Sequence, residues 1–194
     1  VFGDWSSDVC SSDLADRKVA GNAWPALVAG GAPLPVTGSW QVDFIEGGPV
    51  LPGSLRSEAL DSWTTLGDDE ARRFAGAARY RIEVDLPAAE ADTWLLDLGD
   101  VRESARVRIN GGAAGIVVAQ PFRLDVGRLL KPGRNRIEIE VTNLSANRIR
   151  DLDRRGVPWK KFHEINIVDH NYKPLDASGW PLEESGLLGP VTLH

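Results

Sequence analysis

Carboxylates are the side chains of this sequence with the broadest capacity for chemistry. Hydrolysis of an acetal bond by the usual route needs two of them flanking one bond, about 5–5.5 Å apart for retention of configuration and about 6.5–9.5 Å for inversion. The acidic candidates are Glu46, Asp100, Glu103, Asp151, Glu164, Asp169 and Asp176. Glu103 has Arg102 and Arg106 as near neighbours in sequence, so a structural ion pair is its expected role. No pair of these residues is assigned as acid and base, and the chain on its own is expected to be catalytically inactive.

His163 and His170, with Glu164 and Asp169, could be written as a metal set. Their spacing fits no zinc pattern, and a weakly periodic stretch is a poor frame for a tetrahedral site. Packing or hydrogen bonding is expected for them, with neither metal nor cofactor assigned. A structural calcium held by loop carbonyls would leave no mark in sequence.

Arg148, Arg150, Arg154 and Arg155 are interspersed with Asp151 and Asp153. Such a run reads either as a solvated, self-paired surface or as a polar interface with another domain, because arginine suits bidentate contacts. The second reading is adopted for Arg148, Arg150, Asp151, Arg154 and Arg155. Trp159, Tyr172 and Trp180 are the candidate sugar contacts, since aromatic faces suit the C–H faces of pyranose rings. The alternative for them is a satellite hydrophobic cluster that fixes a loop.

The elements that must position these residues are strands. Trp40, Val42 and Phe44 alternate with Gln41 and Asp43, the period of a half-buried strand. The same period runs through Tyr80, Ile82, Val84 and Leu86, through Trp94, Leu96 and Leu98, and through Ala105, Val107 and Ile109. It returns in Phe122, Leu124 and Val126 and in Ile137, Ile139 and Val141. Trp40 and Trp94 are expected in the core. Asn110-Gly111-Gly112 supplies a hairpin turn tolerant of positive φ. Residues 63–66 read as a short strand, residues 68–74 as one helical turn capped by Asp68, and residues 187–193 as a closing strand. Residues 152–181 form a long, weakly periodic stretch, a length usually kept for functional or docked loops. The expected fold is all-β, an antiparallel sandwich or jelly roll of the galactose-binding-domain type.

The first fourteen residues read differently. Residues 3–14 correspond codon by codon to one reading frame of a common short-read sequencing adapter, and so read as a disordered artefact rather than protein. Cys10, the single cysteine, falls inside that segment, which leaves no thiol chemistry to assign. Leaving out Asp4, Asp8 and Asp13 moves the formal charge from −6 to −3. That mild balance points to neither nucleic acid nor a membrane surface as partner. Residues 15–35, rich in Gly, Ala and Pro, read as a linker from an upstream domain, and residues 36–194 as the sandwich.

Residues 97–111 resemble the sugar-binding β-sandwich of glycoside hydrolase family 2 and related enzymes: a strand, a tight Asp100-Val101-Arg102-Glu103 corner, and a strand ending in Asn110-Gly111. Residues 74–80, 121–123, 130–135 and 140–143 extend the likeness. Residues 147–151, 162–166, 176–180 and 185–191 are similar to the C-terminal end of family 106 α-L-rhamnosidases. The resemblance implies an accessory domain supporting, or docking on, a catalytic (β/α)8 barrel that acts on terminal α-L-rhamnose with inversion. On that view carbohydrate and the catalytic domain are the partners, and a periplasmic or secreted location is favoured. The other readings are an autonomous carbohydrate-binding module and a C-terminal fragment of a family 2 β-galactosidase or β-glucuronidase.

Overall fold

The computed structural model describes residues 30–87, 93–161 and 173–194. Within them the period-2 segments become strands. β1 (Leu34–Pro35) is followed by β2 (Trp40–Gly48), which buries Trp40, Val42 and Phe44, and by β3 (Leu55–Ser57). β4 (Ala75–Leu86) buries Ala78, Tyr80 and Ile82. β5 (Leu95–Asp97) and β6 (Asp100–Arg102) are short, and β7 (Ser104–Ile109) turns into β8 (Gly112–Val117). β9 (Arg123–Asp125), β10 (Gly133–Thr142), β11 (Gly186–Gly189) and β12 (Thr192–Leu193) complete the set.

A six-stranded antiparallel sheet in the order β3-β2-β4-β10-β7-β8 faces a four-stranded one in the order β1-β12-β5-β9, and β11 pairs with β6 beside them. Register explains the core: Tyr80 lies opposite Ile139, Ile82 opposite Ile137, and Ile139 opposite Val107, all pointing inward. Leu96 and Leu193 meet them from the second sheet, joined by Leu98 and Val126 just past β5 and β9, and Trp94 packs on the rim of the same cluster. Each large side chain buried this way contributes about 1.5–3 kcal/mol. The outward face carries a charge ladder instead, with Arg79 bound to Glu140 at 2.7 Å and Arg81 to Asp43. Exposed pairs of that kind are worth about 0–1 kcal/mol, so the core decides the fold.

The β7–β8 turn forms at Asn110 (φ 52°) and Gly111 (φ 84°), a pair suited to a two-residue hairpin. Asn110 Nδ2 donates to the buried Asn135 Oδ1 at 2.9 Å, while Asn110 Oδ1 accepts the Arg136 N–H.

Four local expectations are corrected. Residues 63–66 form helix α1 (Trp63–Leu66), not a strand, because Ser62 Oγ accepts the Thr64 N–H as a cap and Trp63 is fully buried. Pairing begins at Leu34, inside the expected linker, where Leu34 and Pro35 face Leu193 and Thr192. The closing strand divides into β11 and β12, which serve different sheets, with Pro190 between them. Residues 146–154 form a helix, α3 (Ala146–Arg154), where no helix was expected. Helix α2 (Asp69–Arg72) follows expectation, with Asp68 Oδ1 accepting the Ala71 N–H at 3.0 Å. The adapter-like segment, and the linker up to residue 29, lie outside the described residues.

Candidate functional site

The arginine run lies on α3, and helical spacing sorts it. Asn147, Arg150, Asp151 and Arg154 are three or four residues apart and share one face. That face, with residues of α1 and α2, lines an open cleft of about 910 Å³. Arg148 and Arg155 sit beside Asp151 at i−3 and i+4, and both bind it, at 3.0 and 2.8 Å. Arg73 approaches the same carboxylate at 4.0 Å from α2's end. Asp151 is therefore the hub that ties α3 to α2.

A buried polar seam holds α3 against the sandwich. Asn147 Nδ2 donates to the Glu183 carbonyl at 2.8 Å and its Oδ1 accepts the Glu183 N–H at 2.9 Å. Asn143 Nδ2 donates to the Phe74 carbonyl and to Ser185 Oγ, and its Oδ1 accepts the Gly76 N–H. The Ser185 N–H in turn donates to Ser62 Oγ, the cap of α1. Buried polar groups satisfied on every side rigidify the frame they join, so the three elements around the cleft are fixed to one another.

The cleft's charge is unevenly matched. Asp69 pairs with Arg72, Glu70 with Arg73, and Glu184 with Arg102. Arg150 Nε donates to the Trp180 carbonyl at 2.7 Å rather than to a carboxylate. Arg154 is exposed and has no ion-pair partner among the described residues.

The three aromatic candidates separate. Trp159 is half-buried; its Nε1–H donates to Asp153 Oδ1 at 2.6 Å, and Lys160 Nζ lies 5.3 Å from its ring centroid. Trp180 is exposed beside the cleft. Tyr172 lies outside the described residues, as do His163, Glu164, Asp169 and His170. Burial opposes ionisation of Asp153, but the Ala177 N–H, the Trp159 indole N–H and Lys160 outweigh it and hold its carboxyl below the usual range.

Of the other acidic candidates, Asp100 and Asp176 are engaged elsewhere, and Glu46 is exposed on β2. Asp100 binds Arg102 at 2.7 Å, and Asp176 Oδ1 accepts the Ser178 N–H. The expected pairing of Glu103 is corrected: Arg102 takes Asp100 and Glu184, Arg106 takes Glu140, and Glu103 stays exposed. Asp100 is a local partner, two residues away on β6, whereas Glu184 reaches Arg102 because β11, which follows it, pairs with β6, a contact that sequence distance hides. Among the described residues no group of three or more His, Cys, Asp or Glu side chains is placed to hold a metal. No helix among them is long and apolar enough to cross a membrane.

Sandwich, corner and hairpin together define the class of the chain: an antiparallel β-sandwich of the kind found in the rhamnosidase and β-glucuronidases it is similar to. No family model matches the chain. It is 31% identical over 182 residues to a Formosa agariphila protein named "Putative beta-glucuronidase", across 84% of this chain and 16% of that protein. The rhamnosidase from Novosphingobium sp. PP1Y superposes with a TM-score of 0.68 at 27% identity, across 91% of this chain and 16% of that one. A β-glucuronidase from Bifidobacterium dentium matches at a TM-score of 0.50 and 21% identity over 57% of this chain, which shows the shared fold alone. The chain thus spans about a sixth of the length of the first two relatives.

Proposed function

We propose that this domain supports the catalytic part of an α-L-rhamnosidase-type hydrolase by docking on it through the α3 cleft, and that the chain has no hydrolytic activity of its own. The observation that carries the docking reading is the composition of the cleft: among the described residues four arginines and four carboxylates line it, and no aromatic ring does. Pocket walls that bind a pyranose usually offer a ring to stack on. Interfaces between domains favour arginine. The rhamnosidase type is supported by the breadth of the superposition on the Novosphingobium enzyme. The Formosa relative's name favours a second activity, cleavage of β-glucuronides.

Two assays test the proposal. The purified chain should leave an aryl α-L-rhamnoside intact and give no calorimetric heat with rhamnosyl oligosaccharides. Turnover would place the chemistry here, and heat would make the domain an autonomous binding module. The intact enzyme should cleave aryl α-L-rhamnoside faster than aryl β-D-glucuronide, and the reverse order selects the second activity.

A further inference from the structure

We infer that Arg150 and Arg154 form a receptor for an Asp or Glu carboxylate presented by the catalytic part of the same enzyme; this rests on the docking reading above. Every carboxylate lining the cleft already has an arginine: Asp69 has Arg72, Glu70 has Arg73, Asp151 has Arg148 and Arg155, and Glu184 has Arg102. Arg150 and Arg154 have none among the described residues.

These two guanidiniums lie one turn apart on the same face of α3, over the same opening. Two like charges at that spacing repel in the isolated domain. A single carboxylate between them removes the repulsion and accepts from both, in the planar geometry that guanidinium favours. The rim beside them is apolar, with Leu182 and Trp180 both 38% exposed. A carboxylate set among apolar contacts is what a protein surface offers. A uronic acid residue carries the same charge, but among the described residues the cleft wall itself offers no ring, Trp180 standing only on the rim.

The test uses the intact enzyme with Arg154→Lys, which keeps the charge and supplies an amine for zero-length carbodiimide coupling. The expected product is an amide between position 154 and an acidic residue outside residues 30–194, found by peptide mass spectrometry and absent from Arg154→Gln. Hydrogen exchange of α3, compared between the intact enzyme and this chain alone, separates the two levels of the claim. Protection of α3 without the cross-link, or a cross-link only to Asp151 or Glu184, overturns the receptor and leaves docking standing. Equal exchange in both overturns docking and the receptor together. Heat with a uronic oligosaccharide, lost in Arg154→Gln, also overturns it by assigning the arginines to sugar.

Discussion

The indole N–H of Trp159 points into the fold, where it donates to Asp153 Oδ1 at 2.6 Å, while the other oxygen of that carboxylate accepts the Ala177 N–H at 2.8 Å. One side chain at the end of α3 thus clasps the chain on both sides of residues 160–176. The polar handle of Trp159, which would have served a sugar hydroxyl, is used internally.

Removing that clasp should loosen both strands of chain it holds. Asp153→Ala leaves the Trp159 and Ala177 N–H groups without their acceptor and is expected to cost about 1–3 kcal/mol. The denaturation midpoint measures the cost, and amide exchange at Ala177 locates it. Unchanged exchange there would show that the clasp does not hold the Ala177 backbone.

The same carboxylate carries a pH dependence of defined sign. Its folded pKa lies below the ordinary carboxylate value. Its contribution is therefore complete above the unfolded value of about 3.9 and is lost as pH falls through the folded one. Acid titration of Ala177 exchange should show this loss in the wild type, and Asp153→Asn should flatten it.

Tyr80 predicts the opposite end of the pH scale. Burial pushes its phenol well above its ordinary range, only partly offset by the Leu187 N–H that the hydroxyl accepts at 3.1 Å. The stability held by the neutral phenol is complete below about pH 10 and declines above it, where the unfolded tyrosine ionises. Tyr80→Phe should weaken that alkaline decline while costing about 1–3 kcal/mol at neutral pH, because the Leu187 N–H is left unpaired. Urea midpoints across pH read both effects.

The seam beneath α3 should behave as a unit. Asn147→Ala strands both backbone groups of Glu183, and Ser185→Ala removes a hydroxyl that Asn147 and Asn143 both reach. A double-mutant cycle between them should give a coupling of about 0.5–3 kcal/mol. Additive costs would mean that the two residues act independently.

Gly186 marks the tightest junction between β11 and the core. Its φ of +107° disfavours any side chain, and an added Cβ would overlap the Tyr80 hydroxyl and lie 2.9 Å from Trp63 Cε3. Gly186→Ala is expected to destabilise by more than the ~1 kcal/mol that a lone backbone penalty brings, as read from thermal unfolding. A neutral result would show that Trp63 and Tyr80 can shift.

The sandwich was legible in the sequence by itself, because alternation is a local signal. Tyr80, Ile82, Val107, Ile137 and Ile139 declare their inward face within a few residues of chain, and Asn110-Gly111 declares its turn by the φ it tolerates. Asp68 likewise marked α2 through a cap only three residues long. What the sequence left open depended on partners far along the chain. Ser62 caps α1 and is itself held by Ser185, 123 positions away, so Trp63–Leu66 read as a strand until the two met. The α3 face of Asn147, Arg150, Asp151 and Arg154 has helical spacing, but its residues are polar, so it lacked the apolar stripe that announces a helix. Whether an arginine of that run is paired or free is a matter of which carboxylates the fold carries to it. The tertiary structure alone decides that, because an ion pair depends on distance in space while the sequence records only order.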